Sequence, residues 1–185
     1  MFSEATYAYT CLLDTLRNKS SAQLIRNDSL SHAILLVCDM IEHAKDEILI
    51  YSSSFSKAFY LREEIVKAFK TSAERGVPVK LLIQYEFDKS EDTMEQKETI
   101  AIYKYNIYRD APFEHRIFAP SESITLNNKQ LNNFLVVDGM SFRYEKLKLS
   151  KDNYINGSII SKVAVGSLND SGTAKSLTES FYEVF

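Results

Sequence analysis

The stretch Arg75-Gly-Val-Pro-Val-Lys-Leu-Leu-Ile-Gln84 constrains the fold of this 185-residue chain more than any other. The residues before it, from about Lys57 to Arg75, place Leu61, Ile65, Ala68, Phe69 and Ser72 on one helical face. Gly76 stands where a left-handed helix cap belongs. Pro78 then forbids further helix. Val77–Gln84 is almost continuously apolar, as a strand covered on both faces should be. We therefore expect Gly76 at positive φ, Val79, Leu81 and Ile83 buried together, and Leu82 covered on the opposite face. Glu47-Ile-Leu-Ile-Tyr-Ser52 is an earlier strand, so the order here is strand, helix, strand. Such a unit pairs its strands in parallel across a helical crossover. Tyr105-Asn-Ile repeats the helix–cap–strand step, with Asn106 in place of glycine and Ile107-Tyr-Arg109 starting the next strand.

The remaining elements follow the same alternation. Helices are expected over Glu4–Arg17 and Ser31–Ala44, the second with Ile34, Val37, Cys38, Ile41 and Ala44 inward and Ser29 or Ser31 as N-cap. Glu86–Glu98 holds six carboxylates against two lysines and reads as a solvated loop leading into a helix over Glu95–Tyr105. Asp110–Gln130 reads as irregular, with short strands near Arg116–Phe118 and Ser123–Leu126. Asn133–Asp138 is a strand that turns at Asp138-Gly139 and returns over Met140–Glu145. Lys146–Ser158 reads as loop, Ile159–Val165 as the last strand, and Asp170–Phe185 as a closing helix. The expected architecture is α/β: a mixed, mostly parallel sheet flanked by helices on both faces. Residues 1–30 read as an N-terminal helical extension and 31–185 as the domain proper.

Composition argues against several classes, though a local basic groove for nucleic acid stays open. A formal charge of −3 gives no bulk attraction to nucleic acid or anionic membrane. The apolar run Ala33–Cys38 is far short of the roughly 20 residues a membrane-spanning helix needs. Cys11 and Cys38 sit in apolar surroundings and read as buried free thiols, so a reducing, cytoplasmic location is expected. His32, His43 and His115 cluster with neither cysteine, and Asp88, Glu91 and Asp92 lack ligand spacing. No metal and no cofactor are expected. The chain has 11 tyrosines, and Tyr103, Tyr105 and Tyr108 lie close together beside an acidic stretch. That pattern suits packing at an interface better than base stacking.

The order of these parts resembles one module of the phospholipase D superfamily, over roughly residues 31–185. The active modules of that family carry a strand reading His-x-Lys-x-x-x-x-Asp, a Gly-Ser-x-Asn turn, and a glutamate on the following helix. Here Asn133–Asp138 resembles the strand with its terminal aspartate. Gly166-Ser167-Leu168-Asn169 resembles the turn, and Glu179 falls on the closing helix. The resemblance implies a phospholipase D-like fold. It also places Leu131 where the family has its nucleophilic histidine and Asn133 where it has its phosphate-neutralising lysine.

Leucine carries no nucleophile, and Asn133 carries no charge. The expected pocket is therefore degenerate: Asn133, Asp138, Ser167, Asn169 and Glu179, with Arg143 and Glu145 as an ion pair on the returning strand. The expected function is a catalytically inactive, accessory or regulatory binding protein acting through a protein partner or a small ligand in that pocket. By resemblance to single-module members, a homodimer is expected, using Asn133–Asp138 and Gly166–Asn169 as the contact. The alternative is a nuclease or phosphodiesterase with a rearranged site. It requires His115, with a lysine such as Lys129, to approach Asp138 or Asn169.

Overall fold

A computed structural model describes residues 4–19, 22–27, 29–53, 55–84, 90–118, 125–126, 129–147 and 162–185. In chain order the elements are α1 (Glu4–Asn18), β1 (Ile25–Arg26), α2 (Leu30–Glu42), β2 (Ile48–Ser52), α3 (Lys57–Tyr60), α4 (Glu63–Glu74), β3 (Val79–Gln84) and α5 (Ser90–Ile102). A π-helical turn (Tyr103–Ile107) follows, then β4 (Phe113–Phe118), β5 (Thr125–Leu126), β6 (Lys129–Val137), β7 (Ser141–Leu147), β8 (Lys162–Ser167) and α6 (Ser171–Val184). The main sheet runs in the order β1-β8-β7-β6-β2-β3-β4, and β5 pairs with β6.

Gly76 has φ of +73° and ends α4, as the sequence requires. Val79, Leu81 and Ile83 face one core and Leu82 the other. On the first face lie α1, α2, α4 and the π turn, over Ile48, Ile50, Leu135 and Val137. On the second lies α6, whose Ala174, Leu177 and Phe181 cover Leu49, Tyr51, Phe134 and Phe142. The sheet is mixed with helices on both faces, but it is not mostly parallel. Among the described strands only β2–β3 and β3–β4 pair in parallel. The pairs β1–β8, β8–β7, β7–β6 and β6–β2 are antiparallel. The reason is local: Asp138 and Gly139, at φ of +53° and +59°, form a two-residue turn that returns β7 directly against β6. Parallel pairing needs a longer crossover, as the helical connections from β2 to β3 and from β3 to β4 supply.

Several sequence expectations shift. The helix from Lys57 breaks at Arg62, whose extended ψ of 142° opens α4. Asn106 has no positive φ. The chain instead widens into the π turn, which Tyr108 closes with its amide on the Tyr103 carbonyl at 2.8 Å. Ile107 is therefore helical, and the next strand starts only at Phe113. That widening seats Tyr103 and Tyr108 in the first core, leaving only Tyr105 of the three exposed. Lys146 and Leu147 extend β7 rather than entering a loop, and residues 148–161 lie outside the described residues, as do 119–124. Cys11 is exposed because it falls between Tyr9, Leu13 and Leu16 on the outer side of α1. Cys38 is half-buried, and burial pushes its thiol up to about 12. Residues 1–30 join the same layers. Tyr9, Leu13 and Leu16 pack in the first core, and β1 pairs with β8.

Candidate functional site

Asn133 sits opposite Ser52 in the β2–β6 register, at the carboxyl end of β2. Beyond that end the chain breaks into Ser52-Ser53 and reaches Phe55. The Asn133 Oδ1 accepts from the Ser52 hydroxyl and from the Ser53 amide, both at 3.0 Å. Its Nδ2 donates to Glu145 Oε2 at 2.8 Å. Arg143 donates to the other oxygen, Glu145 Oε1, at 2.7 Å. Period two along β7 puts Arg143 and Glu145 on the face shared with Asn133 and Leu135. The ion pair anticipated from sequence is therefore present. It is nearly enclosed, with side chains 11% and 16% exposed. The Tyr60 hydroxyl also bonds to Ser52. Burial pushes its phenol well above the usual range, with Arg143 pulling it down and Glu145 raising it.

These groups bond largely to one another. The Asn133 amide has its oxygen and nitrogen both engaged. The Glu145 carboxylate fills the space facing Asn133 and Arg143. Among the described residues no histidine or cysteine enters the cluster. Arg143 Nε is buried without a hydrogen-bond partner there.

The other sequence-nominated residues do not converge on it. The Asp138 carboxylate accepts the amides of Lys45, Asp46 and Glu47 at 2.9, 2.8 and 3.0 Å. It thereby ties the β6 turn to the loop before β2. Five residue steps along the chain separate it from Asn133, about 16 Å at the usual rise. The Gly166–Asn169 turn lies at that same far end, because Arg143 pairs with Gly166 and Ser141 Oγ donates to the Leu168 carbonyl. Ser167 is buried, and its hydroxyl is 3.5 Å from the Asn169 amide. Asn169 Nδ2 donates to the Leu16 carbonyl at 2.9 Å, capping the end of α1. The cap of α6 is Asp170, not Ser167 or Asn169. Glu179 is 63% exposed on α6, beside Lys175 at 4.0 Å. Asp138, Ser167, Asn169 and Glu179 are thus corrected out of the pocket. Antiparallel strand direction explains why: a turn at the carboxyl end of β8 returns to the Asp138 end of the hairpin.

His115 stands on β4, separated from β6 by β3 and β2, roughly 14 Å at the usual strand spacing. Burial and then Lys104 lower its pKa from 6.5. The side chains of Leu131 and Lys129 lie outside the described residues. The homodimer contact expected along Asn133–Asp138 is not a sheet edge, since β6 is paired on both sides by β2 and β7. Sequence reading missed Ser52, Ser53 and Tyr60. Their signal was the serine-rich break directly after β2, because open α/β sheets gather ligands beyond the carboxyl ends of their strands. No group of histidine, cysteine, aspartate or glutamate among the described residues is arranged to hold a metal ion. No helix of the described residues is long and apolar enough to cross a membrane.

No protein-family profile matches the sequence, and neither does any curated protein. Solved structures do match. Nuc from Salmonella typhimurium, a phospholipase D family member, superposes with a TM-score of 0.54 at 20% identity, over 88% of this chain and 92% of that one. Phosphatidylserine synthase from Haemophilus influenzae Rd KW20 gives 0.55 at 14% identity, over 94% of this chain and 39% of that one. The archaeal chromatin protein TrmBL2, described as having a novel mode of DNA binding, gives 0.53 at 19% identity, over 97% and 60%. The chain has a phospholipase D-like fold.

Proposed function

We propose that this chain is a catalytically inactive phospholipase D-like protein that works as an accessory or regulatory binding protein, through a protein partner or a small ligand held at the carboxyl end of β2. One observation carries the reading. Asn133, aligned with the family's phosphate-binding lysine, is locked between Ser52, Ser53 and Glu145. The Glu145 carboxylate occupies the side of Asn133 and Arg143 that an anion would need. A phosphodiester arriving there meets a negative charge in a poorly solvated site, where like charges repel strongly. Among the described residues it also meets no histidine of the kind the family uses as its nucleophile. Covalent catalysis needs a nucleophile within hydrogen-bond reach of its activating partners, and His115 is three strands away.

Purified protein is expected to leave bis-(p-nitrophenyl) phosphate intact and supercoiled plasmid un-nicked, with or without magnesium, manganese or zinc. Turnover that disappears in His115→Ala would overturn the reading in favour of a rearranged nuclease or phosphodiesterase. Turnover that survives both His115→Ala and Asn133→Ala comes from a contaminant and leaves the inactive reading standing.

A further inference from the structure

A separate feature lies at the opposite border of the sheet and does not depend on the reading above. β4 closes the sheet order, and among the described strands it pairs only with β3. The other border, β1, is two residues long and offers little to pair with. β4 is six residues long, its register with β3 is unbroken, and no proline interrupts it. Long, regular edges of this kind are the ones that recruit another strand.

The backbone fixes how such a strand would sit. The Val79 amide donates to the Pro112 carbonyl at 3.0 Å. Backbone groups alternate sides along a strand. Glu114 and Arg116 therefore direct their backbone groups towards β3, while Phe113, His115 and Ile117 direct theirs outward. In an antiparallel pair, residues that exchange both hydrogen bonds must be outward-directed ones. A two-fold axis centred on His115 satisfies this for all three. The same register places Glu114 of each copy opposite Arg116 of the other, in the closely spaced non-hydrogen-bonded positions. It also places Phe113 opposite Ile117, which is 49% exposed in the single chain. Arg116, on the opposite face with Glu114, already lies over the Phe185 ring at 5.4 Å. The edge is thus complementary to itself in hydrogen bonds, charge and apolar contact at a single register.

We propose that two copies of this chain associate through β4, antiparallel about a two-fold axis at His115, joining their sheets into one. Cross-strand opposite charges favour a pair and like charges disfavour it. Glu114→Arg sets two arginine pairs against each other, and Arg116→Glu sets two glutamate pairs. Each single variant should associate about tenfold more weakly than wild type. An equimolar mixture of the two should regain dimerisation, because only the heterodimer opposes arginine to glutamate at every position. His115→Pro should also give monomer while the fold persists, since its outward N–H takes no part in the β3 ladder. Sedimentation equilibrium at tens of micromolar reads all of these, with circular dichroism confirming that each variant is folded. A monomeric wild type overturns the proposal. So does a Glu114→Arg protein that stays dimeric, or a mixture that stays monomeric while both variants are folded.

Discussion

Asp138 is small in area but gathers three backbone amides on one carboxylate, and its φ of +53° sets the hairpin that orders β6 and β7. Asp138→Ala leaves those amides without their acceptor and keeps a β-carbon at positive φ. Urea denaturation should show a loss of about 2–3 kcal/mol. Glu145 has the larger consequence for the site. Glu145→Ala leaves the Arg143 guanidinium buried without its counter-ion, and we expect a loss of about 3–5 kcal/mol. Replacing both, as Arg143→Met with Glu145→Leu, should restore most of that stability, because a buried ion pair is worth little against apolar side chains of similar size. A double variant as unstable as the single would show that the pair does more than satisfy itself. His115 titrates in the opposite sense to a salt-bridged histidine. Burial and Lys104 lower its folded pKa below 6.5, so the unfolded chain takes up the proton first as pH falls. Its share of stability is complete above 6.5 and declines as pH drops from there through the lowered value. NMR titration of the His115 ring should give a midpoint below 6.5, and His115→Gln should flatten that part of the stability profile.

At the scale of elements, α2 comes close to β8 at Gly166. A β-carbon on Gly166 would stand 2.7 Å from Leu36 Cδ2 and 2.7 Å from the Phe142 carbonyl. The carbonyl belongs to the sheet and cannot yield, so Gly166→Ala should cost about 1–3 kcal/mol by thermal denaturation. The motif that first drew attention to Gly166 thus has a packing role. Elements with a strong local period were legible in sequence: α2, α4, β2, β3, the β6–β7 hairpin and α6. Gly76, with Val-Pro behind it, announced its own geometry. The Tyr105-Asn-Ile step, which looked like Arg75-Gly-Val, does lead to a parallel strand, β4; the parallel sense was over-read beyond it, where β6, β7 and β8 all pair antiparallel. Tertiary burial of Tyr103 and Tyr108 overrode the cap and produced the π turn. The site was legible where residues share one face of one hairpin, as Asn133, Arg143 and Glu145 do. It was illegible where closeness depends on strand direction. Asn169 and Asp138 share an end of the sheet with each other and not with Asn133, and no spacing in sequence reveals that.

Taken whole, the molecule joins a parallel half, β2-β3-β4, to an antiparallel half, β6-β7-β8, and the polar cluster lies at their seam. A seam of this kind is where a sheet of this class offers a site. The residues delivered there are an amide, two serines, a tyrosine and an internal ion pair. The central proposal is that the protein performs no phosphoryl chemistry, either at this seam or at His115. The most direct test looks for the covalent intermediate itself. The protein is incubated with a phosphodiester, quenched under alkaline conditions that preserve phosphohistidine, and weighed intact by mass spectrometry. The account predicts an unmodified mass at every time point. A phosphoryl adduct that accumulates and maps to His115 would contradict it.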